Sequence, residues 1–223
     1  ELNEPSATNN YNCHGHAWHV SEGGDQVWIG LDSYDPNPYI MEDIYWKDGS
    51  YIRLNSETGA DKISYYNGNH SAIQTSTTGT YHSKWGPGPL MEHARNYGTV
   101  EYQMSYRYYY AEPEISGDYL FCYPSSKTYS VQDFYNVTYN WSTSSNLQIN
   151  GSSTSRSVSI SPKSSSNSSG YVRVSIYIPA YNKTRVITKN VWVGKPSFYL
   201  EGDDELPAGS AGIALVQYAG DDS

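Results

Sequence analysis

In the stretch NNYNCHGHAWHVSEGG, residues 9–24, Cys13 stands close to three histidines, His14, His16 and His19. A thiol and an imidazole together can make a nucleophile at neutral pH, because the thiolate is the reactive form and a neighbouring base or positive potential produces it. The same residues allow two other readings. On a helix, Cys13, His16 and His19 follow one another at about one-turn intervals and present a metal face, although zinc needs three or four converging ligands and no fourth stands nearby. A free cysteine is also commonly just a small buried apolar group.

The elements that must position Cys13 can be read around it. A helix is expected from Cys13 to Glu22, closed by Gly23 and Gly24. Cys13 then sits at its start, where unpaired N–H groups and the helix dipole favour a thiolate. His14 is adjacent and points elsewhere, while His16 and His19 run along the helix side, so the base should come from another element. ADKISYYNGNHSAIQT, residues 60–75, supplies one: an extended run, a tight NGN turn, and His70 opening the next strand. A third residue to orient the imidazole follows from register. If Thr77-Thr78-Gly79 is a three-residue hairpin loop, Gln74 faces His82, and His82 shares a face with His70. A two-residue turn would instead put Tyr81 and Ser83 there. His82 is the expected orienting residue, with Glu92 and His93 as alternatives in the following segment SKWGPGPLMEHA.

NCHGHAWH at 12–19, ADKISYY at 60–66 and NHSAI at 69–73 resemble the NlpC-type and CHAP-type papain-like cysteine hydrolases and related amidase domains. Ala60-Asp61 stands where that family more often has Gly-Asp. The resemblance implies an α+β papain-like domain with one main helix packed on an antiparallel sheet. It implies Cys13 as the nucleophile attacking an amide carbonyl, His70 as base and then acid, and a polar orienting residue on the next strand. The oxyanion would be held by the Cys13 backbone N–H and a neighbouring donor such as Tyr11. No cofactor and no metal are expected.

The rest of the 223 residues bounds this reading. Charged residues are 17%, below the roughly 25% of ordinary globular chains, and 24 tyrosines and many hydroxyl residues favour strands. The net charge of −9, with no Lys/Arg cluster, argues against nucleic acid and anionic membranes as partners. No run is long and apolar enough to span a bilayer. Strands are expected at 26–30, 40–46, 51–54, 62–66, 70–75, 80–84 and 100–109, and AEPEISG at 111–117 reads as a linker.

Beyond the linker, short alternating runs recur at the spacing of an all-β sandwich, with Trp141 as a candidate buried anchor. ISG at 115–117, Cys122, Tyr129, NWS at 140–142, NLQING at 146–151 and VWVGKP at 191–196 resemble Ig-like or PKD-like modules of secreted Bacteroidetes-type proteins. The expected organisation is therefore a hydrolase-like domain at 1–110, an Ig-like sandwich at 111–196, and the start of a further β module or a tail at 197–223. This implies an extracellular or cell-surface enzyme acting on a peptide or peptidoglycan stem peptide, with a cell-surface or glycan ligand for the second module. The rival expectation is a binding protein in which the hydrolase-like domain has lost catalysis.

Overall fold

The structure is a computed structural model, and it describes residues 7–29, 44–65, 70–97, 107–195, 198–201 and 215–218. The chain divides into two compact units. One holds 1–114, 131–138 and 176–185; the other holds 115–130, 139–175 and 186–223.

The first unit opens with helix α1 (Cys13–Trp18), a 3₁₀ turn at Val20–Glu22 and a short helix α2 (Ile44–Lys47). Six strands follow: β1 (Ile52–Arg53), β2 (Lys62–Tyr65), β3 (His70–Gln74), β4 (Thr80–Lys84), β5 (Leu90–Ala94) and β6 (Arg107–Ala111). They form one sheet in the order β1-β6-β2-β3-β4-β5, antiparallel throughout. Because side chains alternate along each strand, the sheet buries two sets of residues. Ile63, Tyr65, Ala72 and Tyr81 make one cluster. Tyr110 joins Ala17 and Trp18 of α1, Trp46 of α2 and Tyr51 in the other. Trp18 is its centre, with its ring edge-on to Trp46 and Tyr51 at 5.2 and 5.4 Å.

The expected fold class is overturned. The chain is mostly β, 45% strand and 9% helical, with several antiparallel sheets. The papain-like α+β domain with a main helix packed on its sheet is not what forms. The helix expected over 13–22 ends at Trp18 because the Ala17 carbonyl takes other donors. Ser21 Oγ donates to it at 2.8 Å, and the Lys62 ammonium donates to it as well. The chain then tightens into the 3₁₀ turn and leaves through Gly23 at φ 83°, a conformation that suits glycine.

Other expectations shift in detail. Residues 26–29 are irregular, and Ile44–Lys47 is helical where a strand was expected. The strand expected at 100–109 begins at Arg107, and residues 100–106 lie outside the described residues. Strand β5 was not anticipated after the GPGP sequence. It pairs along the whole of β4, from Thr80↔Ala94 to Lys84↔Leu90.

The remaining strands are β7 (Leu120–Phe121), β8 (Lys127–Ser130), β9 (Thr138–Thr143), β10 (Leu147–Asn150), β11 (Ser157–Pro162), β12 (Ser168–Ile178), β13 (Lys183–Val193), β14 (Phe198–Glu201) and β15 (Leu215–Tyr218). They form a three-stranded sheet β10-β11-β8, a four-stranded sheet β7-β13-β12-β9 and a β14-β15 pair. On β12, buried Val172, Val174, Ile176 and Ile178 alternate with less buried neighbours, so hydrophobic period and pleat agree. Trp141 is buried, and its Nε1 donates to the Ser155 carbonyl at 2.8 Å. The GDDE stretch at 202–205 lies outside the described residues. Among the described residues no helix is long and apolar enough to cross a membrane.

Gly15 is required by a close approach. A Cβ there would lie 2.0 Å from the Val27 carbonyl oxygen, a backbone atom that cannot swing aside as a side chain can. Gly15→Ala is expected to cost about 1–3 kcal/mol of stability, read as a lowered Tm by circular dichroism. An unchanged Tm would mean that residues 26–29 are not held against α1.

Candidate functional site

Six residues make the short helix α1, too few to stabilise it through backbone bonds alone, so tertiary contacts must hold it. Asn12 caps it: Oδ1 accepts from Gly15 N at 2.8 Å, and Nδ2 donates to the Ile29 carbonyl at 2.6 Å. At the other end Lys62, only 2% exposed, donates to the Ala17 carbonyl, to Ser21 Oγ at 2.8 Å and to the Glu22 carboxylate. These contacts fix the helix over β3 and place its first turn against the strand's beginning.

Cys13 and His70 are brought together there. The thiol is 8% exposed, and the His14 and His70 side chains lie close enough to act on it through charge and hydrogen bonding. Burial is the largest single influence on the thiol and opposes ionisation. The charge and hydrogen bonds of His14, with the hydrogen bond and charge of His70, together outweigh it and bring the pKa down from 9.0 to about 5. At neutral pH the group is therefore a thiolate, the form that attacks carbonyl carbon. His70 is 1% exposed and is packed among rings, with Trp85 at 4.7 Å and Tyr65 at 5.5 Å between centroids.

His82 is not brought to His70. The observed register pairs Ile73 with His82 and Gln74 with Tyr81, one residue away from the expected one. Thr75 N donates to the Thr80 carbonyl at 2.9 Å, so the loop between β3 and β4 is Ser76-Thr77-Thr78-Gly79, four residues instead of three. His82 consequently lies on the opposite face from His70 and bonds Glu92 Oε2 at 3.0 Å. That contact also takes Glu92 out of the orienting role. His93, paired with Tyr81, shares the His70 face at 6.2 Å between ring centroids. Its Nδ1 donates to the Ala94 carbonyl at 3.0 Å, which leaves Nε2 to accept the Ser83 hydroxyl at 2.8 Å.

Three residues near the thiol were not anticipated. His14, expected to point away, contacts it and also bonds Ser71 Oγ through Nδ1 at 2.9 Å. Ser71 follows His70 directly in NHSAI, so its signal is a hydroxyl beside the strand-opening histidine. Lys84 is 1% exposed and donates to the carbonyls of Thr8, Gly86 and Gly88 at 2.7, 2.6 and 2.8 Å. Burial lowers its pKa, and the negative charge of the Cys13 thiolate works against that change. A lysine two residues before a glycine-proline loop, whose backbone carbonyls can accept its protons, was the available clue.

The metal reading receives no geometry: among the described residues no three His, Cys, Asp or Glu side chains converge to hold an ion. Cys122 is exposed just beyond β7. A cavity of about 570 Å³ in the same unit is lined by Tyr51, Asp61, Lys62, Ile73, Glu112 and Gln132, among others, and does not include Cys13. The site is identified by its chemistry and not by the size of that hollow.

Compared with known proteins, the chain matches no family model, no curated relative and no solved structure.

His16 is buried on the same helix, and neither ring nitrogen has a hydrogen-bond partner among the described residues. Burial first, then the charges of His82, Lys62 and Lys84, lower its pKa from 6.5 to about 4. Between those values the unfolded chain binds a proton that the folded ring refuses, so stability must fall as pH drops from 6.5 to 4. The loss is expected to reach about 3 kcal/mol by the low end of that window. His16→Leu should flatten the dependence of Tm on pH there. A variant with the same acid slope as the parent would show that His16 is not its source.

Proposed function

We propose that the first unit is a thiol-dependent amide hydrolase, acting on a peptide or on peptidoglycan stem peptides outside the cell. One arrangement supports this above the others: a buried thiol at the start of α1 on which the His14 and His70 imidazoles both act, lowering its pKa to about 5. A structural cysteine has no need of that arrangement.

In the proposed reaction the Cys13 thiolate attacks the amide carbon, forming a C–S bond while the carbonyl oxygen takes the negative charge. The Cys13 backbone N–H, at the first helical position and without an intrahelical partner, is a donor for that oxygen. The His70 imidazolium gives its proton to the departing amine nitrogen as the C–N bond breaks. Neutral His70 then takes a proton from water, which attacks the thioester and releases the acid and the thiolate.

A second reading has one observation in its favour: Cys13 is only 8% exposed, and the large cavity lies elsewhere. The thiol would then be kept without turnover in a surface binding protein, whose ligand is held by the β-rich second unit.

Incubating the Cys122→Ser protein with peptides and peptidoglycan fragments should trap a covalent acyl adduct on Cys13, seen by intact mass and peptide mapping. His70→Ala is expected to slow amine release by about 10²–10⁴-fold. Hydrolysis that survives Cys13→Ala would overturn the proposal. Rapid alkylation of Cys13 with no adduct from any fragment would favour the binding reading.

A further inference from the structure

The proposed reaction uses His70 as its proton carrier, yet the thiol has a second imidazole beside it. Two adjacent residues at the start of α1 meet two adjacent residues at the start of β3: Cys13 meets His70, and His14 meets Ser71. All four are buried, and Ser71 is fully so. Ser71 is held in turn by Trp18, whose Nε1 donates to Ser71 Oγ at 2.9 Å. Trp18 is itself the centre of the aromatic cluster beneath the helix.

The chemistry of these groups gives the chain a direction. An indole N–H can only donate, so it occupies one lone pair of Ser71 Oγ. The hydroxyl still has a proton and a second lone pair to offer His14 Nδ1. It can donate to the neutral ring and accept from the imidazolium, so Ser71 serves His14 in both protonation states. With Nδ1 bound to Ser71, Nε2 is the nitrogen left for the thiol. A thiolate only accepts, so that nitrogen must present N–H.

We propose that His14 is a catalytic residue, a second imidazole that holds the Cys13 thiolate through Nε2–H, and that Ser71, anchored by Trp18, is the residue that positions it. His14 keeps the resting thiolate ionised while His70 is left to exchange protons with the leaving amine and water. This division explains why a site with one nucleophile buries two histidines against it. The inference rests on the thiol-hydrolase reading, and it can fail alone.

The test uses the full chain carrying Cys122→Ser and follows iodoacetamide alkylation of Cys13 by mass spectrometry between pH 4 and 9. The parent should show an inflection near pH 5. His14→Asn should raise it by about 1–3 pH units, the range expected when a neighbouring positive charge is removed. Ser71→Ala should raise it by less, and Ser71→Thr, which keeps the hydroxyl, should restore the parent value; a merely structural role for Ser71 would leave the inflection in place. If His14→Asn leaves the inflection unmoved while His70→Asn raises it, this inference fails and the hydrolase reading stands. If no variant moves it and the parent inflects near an ordinary thiol value, both fail.

Should a variant not fold, the parent protein decides. Carbamidomethylation of Cys13 removes the thiolate, and ¹H–¹⁵N spectra of the imidazoles should then show the ring signals of two histidines, His14 and His70, displaced. A change confined to His70 would overturn the inference.

Discussion

A negative charge on a buried sulfur is costly unless groups of opposite charge or hydrogen-bond donors meet it, and much of the first unit is arranged around that requirement. Two imidazoles meet the Cys13 thiol, one from its own helix and one from the strand beneath. Neither would remain in place if α1 rotated or lifted. Six residues cannot hold that position through their own backbone bonds. The Asn12 cap, the Lys62 bond to the Ala17 carbonyl and the approach of Val27 to Gly15 do so instead. Each is tied to a specific backbone atom, which sets where the helix lies as well as whether it forms.

The electrostatics of the surroundings follow the same pattern. Lys84 spends its three protons on carbonyl oxygens and so joins the Thr8 segment and the glycine-proline loop to β4, while its charge remains within reach of the thiolate. Lys62, two strands away, is neutralised by Glu22. His16 is kept neutral by burial and by the cations around it. Of these groups Lys84 thus supplies the positive charge near the thiol, and its burial makes that charge resistant to screening by salt.

Sequence made part of this legible. A strand opening with histidine after an NGN turn placed His70, and an Asn-Cys before a short amphipathic run placed Cys13 at a helix start; both are local signals. The helix length was not local. Nothing between residues 13 and 22 says that the Ala17 carbonyl will also be claimed by a side chain 45 positions later, where the helix gives way to a 3₁₀ turn. The orienting residue failed through one extra loop residue. With side chains alternating on the strand, a shift of one exchanges His82 for its neighbours. Adjacency along a helix implies divergence from Cys13, which hides His14 in the sequence, whereas at the first turn the strand supplies Ser71 to hold its ring.

The ionisation of Cys13 is the point on which the account depends. In the Cys122→Ser protein, thiolate absorbance near 240 nm followed from acid to alkaline pH reports that ionisation without a substrate and without choosing among reactions. A rise centred near pH 5 is the result the account predicts. A rise centred at the ordinary thiol value, about 8.5, would contradict it, because it would mean that the two imidazoles do not act on the sulfur.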